Sequence, residues 1–214
     1  MTETATGLVL RTRPLTETSL IVHWLTPVFG RIAAVAKGAR RSKSPFAGKL
    51  DLFYVADFSF TRSRSSDLHN LREVKLNQTH GAIRADIVKL QQAAYAVNLI
   101  EQVSEKETPL PAVYELMRKF LGQLCREKSS PQLVFAFELK LLRELGLEPR
   151  LAESSLSSGT KKIAGILAEE NWPAGLRLKL TAAQTIELRQ FLHGFLIFHL
   201  ERLPKGRATA LAEK

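Results

Sequence analysis

The sequence predicts an α+β fold in which a small five-stranded barrel precedes an all-helical domain. Up to residue 80, apolar and polar residues alternate, which is the period of a β-strand. Beyond Gly81 the apolar residues recur every three or four positions, which is the period of an α-helix. A hydrophobic fraction of 45% is enough for packed cores. We therefore expect two domains, residues 1–80 and residues 81–214.

Five strands are expected in the first domain, because alternating segments are separated by turns that contain Gly, Pro and Ser. They cover residues 7–14, 18–25, 31–37, 50–60 and 71–76. The third strand has two faces, one with Ile32, Ala34 and Ala36 and the other with Arg31, Ala33, Val35 and Lys37. In the fifth, the alternation slips by one residue between Leu71 and Val74, which indicates a β-bulge. Five short strands are typical of an OB-fold barrel.

Four helices are expected in the second domain. The first two have apolar stripes, namely Ile83, Ile87, Leu90, Ala94 and Val97, and then Val113, Met117, Phe120, Leu121 and Leu124. The third begins with Ser130 as N-cap and Pro131 at the first helical position, and it ends at Gly146. It is apolar around much of its circumference, so we expect it at the centre of a bundle. The last begins at a capping box of Thr181 and Gln184.

Positive charge is concentrated in the first domain. The formal net charge is +10, and residues 1–80 hold 12 Lys and Arg against 6 Asp and Glu. This balance points to an anionic partner, and to nucleic acid before membrane, because no apolar run is long enough to cross a bilayer.

The loop after the third strand is the strongest candidate for contacting that partner. Lys37, Arg40, Arg41 and Lys43 follow one another around Gly38 with no acidic residue among them, which favours phosphate binding. With cations of other strands and turns, the predicted DNA-binding set is Arg11, Arg13, Arg31, Lys37, Arg40, Arg41, Lys43, Arg62 and Arg64. Arg72 and Lys75 add charge on the fifth strand. We expect these cations to meet at one rim of the barrel; the alternative is a solvated loop on a basic protein.

Aromatic side chains of the barrel are candidate platforms on which bases could stack. They are Trp24, Phe29, Phe46, Phe53 and Tyr54. Most aromatic residues of so small a barrel belong to its core. Phe29 and Phe46 are the preferred candidates, because each lies in a predicted loop.

No pattern indicates an enzyme. A phosphate-binding loop of the Gly-x-x-x-x-Gly-Lys type is missing, and the five histidines form no His-x-x-x-His pair. The single cysteine, Cys125, allows neither an internal disulfide nor a cysteine metal cluster, so we expect no cofactor and no metal. The polar start of the chain lacks the apolar segment of a signal peptide, and we expect a cytoplasmic protein.

Three short stretches resemble the amino-terminal signature of the bacterial RecO family of DNA repair proteins. They are residues 17–20 (ETSL), 26–31 and 35–40 (VAKGAR). The resemblance implies a recombination mediator of the RecF pathway, found in the cytoplasm at the nucleoid. Such a protein binds single- and double-stranded DNA, anneals complementary strands, and works with RecR to load the recombinase RecA onto strands coated by single-strand-binding protein. By motif match, Lys37 and Arg40 would contact the DNA.

The sequence departs from that family in two places. Many members carry a four-cysteine zinc cluster after the third helix, but the weakly patterned residues 147–180 contain no cysteine here, so no zinc site is expected. The polar run 154–160 in this segment is expected to be mobile. The tail after Leu203 matches only loosely.

Two other functions remain open from the residues alone. One is a protein–protein adaptor, in which an apolar groove of the helical domain rimmed by Lys or Arg binds an acidic peptide such as the tail of single-strand-binding protein. The other is an enzyme that acts on RNA through the barrel. The sequence does not decide between DNA and RNA.

Overall fold

The computed structural model describes residues 2–169 and 171–212, and these form two compact units. The first unit comprises the chain up to Gly81 together with Ser104–Arg118. The second comprises Ala82–Val103 and the chain from Lys119 onward. The first unit therefore takes in a segment that lies well beyond its strands in sequence.

The strands all lie in the first unit. They are β1 (Thr2–Pro14), β2 (Leu20–Thr26), β3 (Gly30–Ala36), β4 (Val55–Thr61) and β5 (Leu68–Gln78). The helices are α1 (Gly81–Arg84), α2 (Ile87–Val103), α3 (Pro111–Arg126), α4 (Pro131–Glu144), α5 (Ser158–Ala168), α6 (Trp172–Leu176), α7 (Ala182–Leu200) and α8 (Arg207–Ala210), with a 3₁₀ turn at Leu151–Glu153. A strand-rich part followed by a helical part confirms the predicted α+β class.

The five strands close into a barrel in the order β1-β2-β3-β5-β4. All neighbours are antiparallel except β3 and β5, which are parallel. β1 closes the sheet because its first half pairs with β4 and its second half with β2, the change occurring at Leu8. This is the OB-fold arrangement that the sequence predicted.

Alternate side chains fill the barrel, as the period of the strands requires. Ile32, Ala34 and Ala36 of β3 are in the core, as predicted. The rings of Trp24 and Phe58 stack there with their centroids 4.2 Å apart. The predicted bulge in β5 is confirmed as well. Ser59 pairs with Glu73 but Phe60 pairs with Leu71, so that Arg72 is the extra residue.

The fourth strand is shorter than predicted. It begins at Val55 and not at residue 50, because the chain turns at Phe53, whose φ is +65°. The turn is fixed against β1, since the Phe53 amide donates to the Val9 carbonyl (2.9 Å) and the Val9 amide to that of Tyr54 (2.8 Å). Alternation alone could not reveal this turn, because the apolar residues before it are also packed inward.

Part of the segment Ser104–Arg118 lies along the start of β3. The Glu107 amide donates to the Arg31 carbonyl (2.9 Å), and the Arg31 guanidinium donates to the Ser104 carbonyl. The approach is close at Gly30, where a Cβ atom would lie 1.9 Å from the Thr108 carbonyl oxygen. Gly30 also has φ of +62°, so the position suits glycine on both counts.

Several predicted features of the second unit, which we call the helical unit, are confirmed. α4 is buried continuously from Leu133 to Leu142, which places it at the centre of the bundle. It begins after Ser130 with Pro131 in its first turn, and Gly146 follows its end with φ of +71°. The capping box of Thr181 and Gln184 opens α7 with both of its hydrogen bonds formed.

The predicted apolar stripe of the first helix was partly wrong. The chain breaks between α1 and α2, where the Asp86 carboxylate accepts from the Val88 amide (2.8 Å) and starts a new helix. Because α2 starts as a separate helix, its buried face differs from the predicted stripe, which leaves Ile87 57% exposed and also exposes Ala94. Ile83 and Val97 are buried as expected.

The expectation of a mobile segment after residue 154 was also wrong. Ser157 caps α5, because its hydroxyl accepts from the Thr160 amide (3.3 Å). The side-chain hydroxyls of Ser157 and Thr160 also donate to the Glu187 carboxylate of α7. At the other end of α5, the Lys140 ammonium donates to the Leu167 carbonyl (2.7 Å). Side-chain hydrogen bonds therefore hold a stretch that lacks apolar periodicity.

A charged cluster is buried in the helical unit. Arg207 makes two hydrogen bonds to the Glu138 carboxylate, with Nε–Oε1 2.7 Å and Nη2–Oε2 2.9 Å. The Tyr95 hydroxyl donates to the same carboxylate. Glu138 is fully buried and Arg207 nearly so, and burial raises the pKa of the Tyr95 hydroxyl well above its ordinary value. The cluster ties α8 to α2 and α4.

Candidate nucleic-acid interface

The connection between β3 and β4 carries most of the predicted DNA-binding residues. We call residues 37–43 of this connection the basic loop. Its backbone is a series of tight turns, in which the amides of Ala39, Arg41 and Ser44 donate to the carbonyls three residues before them. Gly38 has φ of +71°, the backbone conformation that glycine adopts without strain. The loop is therefore ordered by its own hydrogen bonds.

Phe46 anchors the connection to the barrel. Its side chain is 6% exposed and belongs to the core beside Phe58. It is therefore not the open stacking platform that the sequence suggested, and Trp24 and Phe53 are buried too. Phe29 is only partly buried, but its ring already packs edge-on against Phe60.

The cations of the basic loop are open to solvent. Lys37, Arg40, Arg41 and Lys43 are all exposed. In residues 2–169 and 171–212, no carboxylate forms an ion pair with any of the four. Their charges are not neutralised by the rest of the described chain, which is the condition for binding a polyanion.

The basic loop lies beside the β1–β2 loop at one end of the barrel. The Arg40 amide donates to the Thr18 carbonyl (2.9 Å) and its guanidinium to the Thr16 carbonyl (3.0 Å). Arg13 lies at the same end of the barrel. The residue after it, Pro14, pairs with Leu20 of β2, and Leu20 pairs with Ala36, the last residue of β3 before the basic loop. The structure thus brings Arg13, Lys37, Arg40, Arg41 and Lys43 together.

The remaining predicted cations do not join this group, so the expectation of one rim was wrong. Arg62 forms ion pairs with Glu3 (2.9 Å) and Glu107, and its guanidinium lies 5.6 Å from the centre of the Phe29 ring. These carboxylates raise the pKa of Arg62 above its ordinary value. Arg62, and with it the exposed Arg64 two residues later, thus lies near the start of β3. The basic loop follows the other end of this seven-residue strand, about 20 Å away.

Arg31 and Arg11 are half-buried strand residues. Arg31 binds the Ser104 carbonyl, as described above, at the same end of β3 as Arg62. Arg11 follows the bulge of β1 and pairs with His23 of β2. Neither is as accessible as the cations of the basic loop.

A groove on the outside of the barrel adds cations that the predicted set did not include. It has a volume of about 770 Å³ and lies across β1, β4 and β5, bounded by the turn between β2 and β3 and by the β3–β4 connection. Lys49, Arg72 and Lys75 line it together with Val28 and two carboxylates, Asp57 and Glu73. Arg72 and Lys75 were noted from the sequence as charges on the fifth strand, whereas nothing in the sequence singled out Lys49.

Three further findings concern metal binding, the cysteine thiol and membrane insertion. Within the described part of the chain, no group of three His, Cys, Asp or Glu side chains could hold a metal ion, so the zinc cluster of the family does not fit here. Partial burial raises the pKa of the Cys125 thiol, which disfavours a nucleophilic thiolate. Across the residues described, no helix combines the length and the apolar character needed to cross a bilayer.

Comparison with known proteins finds the same family along most of the chain. The family Recombination protein O N terminal matches residues 1–80, and Recombination protein O C terminal matches residues 84–158. The DNA repair protein RecO of Anaeromyxobacter dehalogenans (strain 2CP-C) is 34% identical over 146 residues, which are 68% of this chain and 58% of the relative.

Relatives from two other organisms give similar matches. The DNA repair protein RecO of Rhodopirellula baltica is 33% identical over 143 residues, 67% of this chain and 53% of the relative. That of Listeria monocytogenes serotype 4b is 31% identical over 159 residues, 74% of this chain and 61% of the relative. The matches thus span little more than half the length of these relatives. Since both family descriptions match and the relatives share 31–34% of the aligned residues, the chain belongs to the RecO family of DNA repair proteins.

Proposed function

We propose that this protein binds single- and double-stranded DNA with the basic end of its barrel and anneals complementary strands. In this proposal it is a recombination mediator of the cytoplasm and nucleoid that helps RecR to load recombinase onto strands coated by single-strand-binding protein. Residues 1–80 act as the DNA-binding domain and residues 81–214 as the domain for protein partners. The observation that carries the proposal is the basic loop, whose four cations are exposed and have no carboxylate partner among the described residues.

The predicted DNA-binding residues take different parts in this proposal. Arg13, Lys37, Arg40, Arg41 and Lys43 make the first contacts, because they lie together at one end of the barrel. Arg11 and Arg64 extend the contact along the barrel. Arg31 and Arg62 serve mainly to hold the segment around Glu107, since both already bind groups of that segment.

Charge neutralisation is enough to explain annealing. Two DNA strands repel each other through their phosphates, and a basic surface that binds both reduces this repulsion while the bases find their complements. The step needs no nucleotide hydrolysis, which agrees with the lack of a phosphate-binding loop in the sequence.

A salt titration of DNA binding tests the proposal. If the surface neutralises about six phosphates, the affinity for duplex DNA falls by roughly three orders of magnitude between 50 and 200 mM salt. Phosphate contacts carry no base code, so unrelated sequences should give the same curve. Fluorescence anisotropy with two unrelated duplexes measures the salt dependence of the affinity and shows whether it differs between the sequences. No binding at about 100 mM salt would contradict the proposal and favour the adaptor.

One observation favours protein binding by the helical unit as a second function. α7 exposes apolar side chains, with Phe198 82% and Ile186 52% exposed. Beside α7 lies a groove of about 380 Å³ lined by Phe191, Phe195 and Arg150, and also by Glu148 and Glu153. An acidic peptide with the sequence of the single-strand-binding protein tail should bind here, and Phe195→Ala should weaken that binding without changing DNA affinity.

A further inference from the structure

We propose that the groove across β1, β4 and β5 holds a second DNA strand, so that one molecule carries two strands during annealing. This inference rests on the DNA-binding function proposed above. It adds a binding surface made of Lys49, Arg72, Lys75 and Val28, which is separate from the basic loop.

The cations of the groove are placed for phosphate contacts. Arg72 is the extra residue of the β5 bulge, and bulges re-aim side chains out of the regular alternation of a strand. Its Nε donates to the Thr61 hydroxyl (2.9 Å), which orients the guanidinium. Across residues 2–169 and 171–212, neither Arg72 nor Lys49 has an ion-pair partner.

The groove also offers apolar surface and enough space for nucleotides. Val28 lines the groove and is 63% exposed, and Pro27 and Pro45 line it as well. Single-strand sites combine such surface for the bases with cations for the backbone. The volume of about 770 Å³ falls in the range in which proteins bind molecules of nucleotide size.

The carboxylates of the groove orient the strand. Asp57 accepts a hydrogen bond from the Thr6 hydroxyl (2.6 Å), which holds the pKa of its carboxyl below the ordinary value. An ionised carboxylate repels phosphate but accepts hydrogen bonds from the amino groups of bases. The backbone of the strand therefore lies toward Lys49 and Arg72, and the base edges lie toward the carboxylates that line the groove, Asp57 and Glu73.

The two surfaces are joined by one short connection. The β3–β4 connection supplies the cations of the basic loop and then, a few residues later, Pro45, Phe46 and Lys49 of the groove. Because Phe46 fixes this connection to the barrel core, both surfaces keep a constant separation. Two strands held on one molecule gain a high effective concentration for each other.

The variant Lys49→Gln with Arg72→Gln tests the proposal on the full chain. Its matched control is Arg177→Gln with Lys179→Gln, which removes the same charge from two exposed residues of the helical unit. Three quantities are measured for each protein: the affinity for one labelled single strand, energy transfer between two non-complementary labelled strands, and the annealing rate of complementary strands. Circular dichroism confirms that each variant is folded.

We expect the groove variant to keep its affinity for the first strand within about twofold, to lose the energy transfer, and to anneal at least about tenfold more slowly than the control. Annealing and energy transfer equal to those of the control would overturn the proposal. Val28→Asp provides a second variant, because it adds a negative charge to the groove at an exposed turn without removing a hydrogen bond. If the unchanged protein binds no first strand, it is the DNA-binding function that fails and not the second site.

Discussion

The cations of the basic loop and two cations of the helical unit, Arg207 and Lys140, are in opposite environments. Lys37 and Arg40 are exposed on the basic loop and have no carboxylate partner among the described residues. Arg207 and Lys140 are buried, with Arg207 bound to Glu138 and Lys140 to carbonyl oxygens at the end of α5. The first pair is free to bind an external anion, whereas the second pair is fully used within the fold.

The two environments separate charges that serve folding from charges that serve binding. A buried charge is tolerated only when it is paired, so removing its partner costs stability. An exposed charge in water costs little to keep and contributes little to folding. Substitutions in the two regions should therefore change different quantities, and this separation can be tested.

The largest effect is expected from Arg207→Met. The substitution leaves the fully buried carboxylate of Glu138 without its cation, and removing one partner of a buried ion pair costs about 3–5 kcal/mol of unfolding free energy. Urea unfolding followed by circular dichroism measures the loss. The double variant Arg207→Met with Glu138→Leu should recover much of it, because no unpaired charge remains. Unchanged stability of the single variant would show that this pair does not support the bundle.

The next largest effect is expected from Lys37→Ala with Arg40→Ala. Loss of two phosphate contacts should lower DNA affinity roughly tenfold to a hundredfold at low salt and reduce the salt slope by about 2. The loss should be the same for unrelated DNA sequences, and the unfolding midpoint should not change. Gel-shift titration measures the affinity, with Arg177→Ala and Lys179→Ala as the control of equal charge. Unchanged binding would remove the basic loop from the site.

A smaller effect is expected from Ser157→Ala in the helical unit. The hydroxyl caps α5 and also donates to Glu187 (2.9 Å), and loss of an N-cap costs about 1 kcal/mol of unfolding free energy. Ser158→Ala is the control, because that residue lies one position later and is exposed. Chemical unfolding compares the two variants. Equal stabilities would mean that the polar network does not hold this segment, whereas DNA affinity should stay the same in both.

The smallest effect is a pH dependence at His80 in the first unit. Burial lowers the pKa of this imidazole below its ordinary value, with Arg118 adding to the shift and a hydrogen bond to the Phe53 carbonyl (2.7 Å) opposing it. Because the unfolded chain binds the proton more readily, this contribution to stability is complete above about pH 6.5 and is lost as the pH falls through the lowered pKa.

Unfolding midpoints measured between about pH 7 and 5 should therefore decrease less for His80→Asn than for the unchanged protein. Asparagine suits the test because His80 has φ of +49°, which Asn tolerates. Parallel pH curves for the two proteins would speak against a role of this histidine.

The sequence predicted correctly those features that depend on residues close together in the chain. The inward face of β3 followed from strict alternation, and the bulge at Arg72 followed from a one-residue slip of that alternation. The capping box of Thr181 and Gln184 is a local hydrogen-bond pattern, so it too was readable in advance.

The errors come from interactions between residues far apart in sequence. α5 is ordered by Glu187 and Lys140, which lie on two other helices, so no local pattern marks it. The separation of Arg62 from the basic loop depends on strand register and on Glu107. The groove likewise needs three strands and two turns to be positioned before Lys49 and Arg72 meet.

The path of the chain around Gly30 has a practical consequence for dissecting the gene. A fragment that stops after β5 would contain all five strands but would lose Glu107 and Thr108, which belong to the same compact unit. Arg62 would then lack one of its two carboxylates, and the backbone of Arg31 would lose a hydrogen-bond donor. Work on an isolated barrel should therefore splice residues 104–118 back onto it through a short linker.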